Sequence, residues 1–180
     1  MKITEQQLIR AIYSIWDFQQ ALSALTFLLE DCDFSRHYDK ISLRRFRCYE
    51  STLIVSMARP FETTRGGTTI GLRALEIALS DHEKGLVGKI LDLRRKIVAH
   101  SAEEEMHFRT TSFLVLEGEF NFPHFQFNEG LLLEERELQD LEVFLRSLKG
   151  KLAKYFFRVA QEQPELIEKY REPESFAKSE

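Results

Sequence analysis

Between Leu93 and Ser101 the chain reads Leu-Arg-Arg-Lys-Ile-Val-Ala-His-Ser. Three consecutive cations, Arg94, Arg95 and Lys96, precede an apolar triplet, and His100 and Ser101 follow it. A histidine titrates near neutral pH, so it can take or give a proton under ordinary conditions. A guanidinium forks two donors onto one oxyanion and stabilises charge that builds there. Together the two could run acid–base chemistry beside a bound anion. Arg94 is separated from His100 by five residues and Arg95 by four. On an ideal helix, at about 100° per residue, Arg94 lies about 240° from His100 and Arg95 about 140°. Neither shares a face with the histidine, whereas Lys96 does. One chain's pair therefore converges only if the backbone leaves helical geometry near Ala99, or if the arginine of one subunit serves the histidine of another. A plainer reading makes His100 a cap for free carbonyls at a helix end. It gives the three cations a solvated face, paired with Asp92 or with Glu103, Glu104 and Glu105.

Other constellations carry less chemistry. Arg44, Arg45 and Arg47 form a second basic group, able to hold phosphate or simply to face solvent. His100 and His107, with Glu103 or Glu104, match no common zinc spacing. Cys32 and Cys48 are the only cysteines, and their spacing fits neither a zinc site nor a redox motif. Two free thiols suit a reducing compartment. Glu134, Glu135 and Glu137 read as the acidic first turn of a helix. His37, His82 and His124 have no partner legible in the sequence. There is no Gly-rich phosphate loop, no G-x-S-x-G elbow and no dinucleotide fingerprint, which disfavours those enzyme classes. The net charge of -4 argues against a general electrostatic grip on nucleic acid, so any such binding must be local.

The elements that position these residues follow from periodicity. Thr4 and Gln7 form a capping-box pair, and Leu8, Ile12, Ile15, Leu22 and Leu29 recur at helical spacing. A first helix over about Thr4–Glu30 is predicted, broken by the stretch from Asp31 to Ser35. A second runs over about Asp39–Glu62, with Pro60 as a kink or stop. A shorter helix is expected from Ile70 to Leu79. Ser80 and Glu83 cap another, which carries Leu86, Ile90, Leu93 and Ile97 to about Ala99. Residues 110–127 are rich in strand formers and suggest a hairpin turning at Glu117-Gly118, its second strand an edge or bulged strand because of Pro123. From Glu134 the chain is helical again. Leu138, Leu141, Leu145, Leu148, Leu152, Tyr155 and Val159 step alternately by three and four, a heptad seam. It packs within the same domain or pairs with a second copy.

The 180 residues, 43% hydrophobic with 15 Phe, suit one globular domain over residues 1–172 and a flexible tail over 173–180. No apolar leader opens the sequence and no stretch is long enough to span a membrane, so a cytoplasmic protein is expected.

The segment from Arg94 to His100 resembles the motif of the HEPN superfamily, an arginine followed after a short run by a histidine at the end of a late helix. The family usually has a polar residue after the arginine, and Arg95 takes that place. The helix from Tyr49 through Ala58-Arg59-Pro60-Phe61 is similar to the second helix of abortive-infection-type members. The resemblance covers roughly residues 5 to 105 and leaves the hairpin and last helix outside. It implies an all-α fold, an antiparallel helical bundle, here with a small β-hairpin inserted before the last long helix. It also implies a metal-independent endoribonuclease that needs no cofactor. RNA supplies its own nucleophile, the 2'-hydroxyl, and leaves a cyclic phosphate and a 5'-hydroxyl. Arg94 would hold the phosphate and His100 would act as acid or base. Arg95, Lys96 and Ser101 would contact the RNA. The family implies a homodimer and a role as a toxin or defence effector, with an antitoxin protein as a partner. Arg95 stands where members more often have Asn, Asp or His. That departure and the net acidity favour the alternative, a non-catalytic HEPN-like module that binds a partner protein, RNA or nucleotide. A third reading is a helical scaffold whose hairpin and last helix make the interface.

Overall fold

Thr4 and Gln7 start the first helix as their spacing predicts. The Thr4 N–H donates to Gln7 Oε1 at 2.9 Å and the Gln7 N–H to Thr4 Oγ1 at 3.3 Å. The computed structural model describes residues 3–62, 69–73, 75–98, 108–115, 120–127 and 129–170. Helix α1 spans Glu5–Asp31. It ends where Asp33 turns back on itself, accepting from both the backbone N–H and the hydroxyl of Ser35. Helix α2 spans Lys40–Ala58, capped by Asp39, whose carboxylate accepts from Ser42 N–H at 2.7 Å. The sequence suggested α2 would reach Glu62. Instead it tightens into a 3-10 turn over Arg59–Phe61. Pro60 lacks the N–H that would continue the α ladder, which accounts for the change.

The short helix expected from Ile70 to Leu79 does not form. Leu72 and Arg73, then Leu75 and Glu76, make turns, and Glu76 sits at φ 56°. The Ile70 N–H goes to Pro60 O at 2.7 Å and the Ile77 N–H to Leu72 O at 2.8 Å. Neither is the bond to the carbonyl four residues back that an α-helix makes. They let Ile70, Leu75 and Ile77 reach the core from an irregular segment. Helix α3 spans Asp81–Leu93 and opens with the expected reciprocal Ser80–Glu83 cap. The sequence predicted helix to about Ala99. The α geometry stops at Leu93 and gives way to a π turn over Arg94–Val98. Ala99 lies outside the described residues.

Strands β1 (Phe108–Val115) and β2 (Phe120–Phe127) pair antiparallel in unbroken register from Phe108↔Phe127 to Val115↔Phe120. There is no bulge. Pro123 faces Ser112 within the ladder. In a two-stranded sheet each strand has a free side, so a missing N–H need strand no partner. All eight β2 residues are exposed. The Glu117-Gly118 turn lies outside the described residues.

Helix α4 spans Glu135–Glu162, and α5 spans Pro164–Glu168. All seven residues of the heptad seam are buried, so the seam packs within this chain's own core. Ion pairs mark the helix directions. Arg45 meets Asp31 while Arg59 meets Asp17, so α2 runs back along α1. Lys169, beyond α5, meets Glu5 at the start of α1. His82 and Lys89 of α3 meet Asp140 and Glu137 of α4. The buried apolar side chains form one cluster across these helices. The chain is mostly helical with one small antiparallel sheet, as the composition and periodicity suggested. Residues 171–180, where a tail was expected, lie outside the described residues.

One buried carboxylate ties the hairpin's exit to the bundle. Glu50 of α2 is fully buried and accepts from Leu132 N–H at 2.7 Å and Leu133 N–H at 2.8 Å. Arg47 Nη1 donates to its other oxygen at 2.9 Å. Burial pushes the Glu50 carboxyl up from the usual carboxylate range. The two backbone N–H groups and Arg47 oppose that rise.

Candidate functional site

The Arg-Arg-Lys run begins where α3 changes pitch. The Arg94 N–H, where the α-helix ends, is shared between Ile90 O four residues back and Leu91 O three residues back. A π turn bonds residue i to i+5, so more residues fit each turn and the angular count of an ideal helix fails over Arg94–Val98. Such turns occur often at functional sites. The sequence asked either for a departure from helical geometry near Ala99 or for an arginine shared between subunits; the described residues leave α geometry at Arg94, and Ala99 lies outside them.

Arg94 is partly buried, and its Nη1 is in close contact with Glu62 Oε2. Arg95 approaches the other oxygen of the same carboxylate, Nε to Oε1 at 3.6 Å, and also Asp92 at 3.9 Å. The Asp92 pairing was expected; the Glu62 pairing was not. Both arginines line an open cavity of about 450 Å³ together with Phe61, Glu62, Thr69 and Leu91. Lys96 lies exposed in the same π turn. His100 and Ser101, and the acidic run Glu103-Glu104-Glu105, lie outside the described residues.

Glu62 is held in place by a relay from α1. The Arg10 guanidinium donates to Arg59 O, the first carbonyl of the 3-10 turn. Arg59 Nη1 in turn lies 3.4 Å from Asp17 Oδ1. Phe61 stacks at a tilt on Phe18, ring centroids 5.9 Å apart. These contacts fix the turn, and the turn presents Glu62 to Arg94. Burial pushes the Asp17 carboxyl up, against the opposing pull of Arg59 and Arg10. Burial likewise lowers the Arg10 guanidinium.

Glu62, Thr69 and the Arg10–Arg59 relay carry no motif signal, because they come from segments distant in sequence. The one available hint was Pro60, which stops α2 and frees Glu62 from a helical face. The second basic group does not converge. Arg44 makes a two-pronged pair with Glu129, Arg45 turns to Asp31, and Arg47 turns to the buried Glu50. Of the histidines without an evident partner, His82 Nε2 meets Asp140 at 3.1 Å and His124 packs on Phe113. Glu134 and Glu137 build a capping box on α4, as an acidic first turn should, and Glu137 also holds Lys89. Cys32 and Cys48 are free thiols. Among the described residues no group of His, Cys, Asp and Glu is placed to hold a metal. No described helix is long and apolar enough to cross a membrane. Comparison with protein-family models, curated proteins and solved structures finds no match to this chain.

Proposed function

We propose that this chain is a HEPN-type metal-independent endoribonuclease acting as a homodimer, with Arg94 and His100 as its catalytic pair. The observation that carries the reading is the π turn. It breaks helical register at the start of the Arg–His segment and sets Arg94 and Arg95 on an open cavity large enough for a nucleotide's phosphate and sugar. In this chemistry His100 takes the proton of the RNA 2'-hydroxyl. The freed oxygen attacks phosphorus, and the 5'-oxygen leaves as it gains a proton. Arg94 steadies the charge on the phosphoryl oxygens. Arg95, Lys96 and Ser101 bind neighbouring phosphates. A toxin or defence effector restrained by an antitoxin protein fits such an enzyme.

One observation favours a second reading, a non-catalytic module that binds a partner protein or nucleotide. Arg94 is engaged by Glu62 within its own chain. An arginine so neutralised is a weaker phosphate clamp.

The two readings part in one experiment. Purified wild type, Arg94→Ala and His100→Ala are incubated with a mixed RNA pool in EDTA, with circular dichroism to confirm folding. The nuclease reading expects cleavage by wild type, cyclic phosphate ends, and loss of cleavage in both variants. Intact RNA throughout, or cleavage that survives both substitutions, overturns it and leaves the binding module ahead.

A further inference from the structure

Trp16 stands 59% exposed on α1. An indole is a large apolar surface to leave in water, and an exposed one often marks a contact. It lines a shallow groove of about 450 Å³ with Gln20 of α1, Ser51, Thr52, Val55 and Ser56 of α2, and Arg59 of the 3-10 turn. Tyr13 lies three residues earlier on the same face of α1 and is 62% exposed. The Thr52 hydroxyl donates to Cys48 O at 2.9 Å, which leaves its lone pairs able to accept. Arg59 is held on one side by Asp17, yet about half its side chain remains exposed.

This combination suits one kind of ligand. An unpaired nucleobase offers a π face for stacking on an aromatic ring and polar edges for hydrogen bonding. Gln20, Ser51 and Thr52 supply donors and acceptors at the edge, and Arg59 supplies a cation for an adjoining phosphate. An amphipathic helix or apolar peptide seeks a groove with apolar walls, whereas the α2 wall here sets three hydroxyls, Ser51, Thr52 and Ser56, around the single aliphatic Val55. Position adds a second argument. Arg59 lines this groove, while Phe61 and Glu62, just beyond it in the chain, line the Arg94 cavity. A single strand crossing that turn reaches both.

We infer that the Trp16 groove is a recognition subsite for an unpaired base of single-stranded RNA, placed beside the Arg94 cavity. The inference rests on the RNA-directed reading above, and its test is kept separate from cleavage.

Trp16 is the only tryptophan in the chain, so its fluorescence reports on this groove alone. The full-length protein is titrated with a 2'-deoxy oligonucleotide, which lacks the hydroxyl that cleavage needs. Saturable quenching is expected, and an abasic oligomer of the same length should give none. By anisotropy of a labelled oligomer, Trp16→Ala should weaken binding about tenfold. Trp16→Phe, which keeps an aromatic face, should restore part of the loss. Absence of quenching, equal quenching by the abasic oligomer, or unchanged affinity in Trp16→Ala overturns the proposal. So does equally tight binding of AMP alone, which would assign the groove to a free nucleotide. If the oligomer fails to quench and Trp16→Ala dissociates a dimer, the groove belongs to a second copy and the proposal falls. Quenching without cleavage of the matching ribo-oligomer leaves the groove standing while the nuclease reading fails.

Discussion

Glu62 holds Arg94 from across the bundle: a carboxylate at the end of the 3-10 turn meets the guanidinium at the start of the π turn. The same carboxylate also lies within reach of Arg95. Two of the three cations in the run are thus partly neutralised inside their own chain. Under the RNA-directed reading Glu62 acts as a restraint on the phosphate clamp. Glu62→Gln should tighten binding of a 2'-deoxy oligonucleotide about fivefold at low salt, the worth of roughly 1 kcal/mol for one ion pair. Anisotropy titration checks this. Equal affinity in the variant would mean that Glu62 positions Arg94 without competing for phosphate.

Glu50 secures the passage from the hairpin into α4, because one of its oxygens accepts both the Leu132 and Leu133 N–H groups. Glu50→Ala leaves both donors without that partner in a buried setting. The cost should be about 3 kcal/mol, read from the urea midpoint. Glu50→Gln keeps an acceptor for the two N–H groups but gives up the Arg47 pair, so it should lose less. A loss in Glu50→Ala below about 1 kcal/mol would mean that water replaces the carboxylate at little cost.

The same residue sets a pH dependence whose sign can be worked out. Burial raises the folded-state carboxyl above its unfolded value. Folding therefore takes up protons between the two values, and stability falls as pH rises through that window. The contribution is fully present below the unfolded pKa and is lost as pH passes the folded one. Asp17, pushed up chiefly by burial, has the same sign. Unfolding midpoints measured from pH 4 to pH 8 should show wild type losing stability relative to Glu50→Gln as pH rises. Parallel curves for the two proteins would rule out Glu50 as the titrating group.

Local signals were legible where side chain and backbone solve a problem within one turn. The Thr4–Gln7 and Ser80–Glu83 caps are such cases, because each pairs groups three residues apart. The α4 seam was legible because a wide apolar stripe at heptad spacing can only be buried. The stretch from Ile70 to Leu79 was not, since its shape depends on a bond from Ile70 N–H to Pro60 O that no local pattern announces. The π turn was half legible. The angles between Arg94, Arg95 and His100 asked for either a departure from the α-helix or a site shared between subunits, and the place of the departure depends on how α3 packs. Glu62 was illegible, because its role depends on long-range placement by Arg10, Arg59 and Phe18.

The seam itself allows a clean test of where α4 packs. Leu148 is 1% exposed on the face turned to this chain's core. Leu148→Ala should cost about 3 kcal/mol through lost contact and the cavity left behind. Because the seam packs within one chain, the loss should be independent of protein concentration. A midpoint that moves with concentration by the full size of the effect would place Leu148 in an interface between copies.

Under the proposed dimeric nuclease, mixing decides how Arg94 and His100 are arranged. Suppose the arginine of one subunit serves the histidine of the other. A heterodimer of Arg94→Ala and His100→Ala then contains one complete composite site, since each chain supplies the residue that the other's site needs. If instead each chain builds its own site, every site in that heterodimer lacks one member. Random exchange of a two-fold dimer makes about half the population mixed, so the composite arrangement should recover about a quarter of wild-type cleavage. The displaced register of the π turn, which starts at Arg94, leaves room for either arrangement within one helix end. Recovery after co-refolding, with neither variant active alone, establishes the composite site. Mixed dimers shown by mass that stay inactive assign both residues to a single chain.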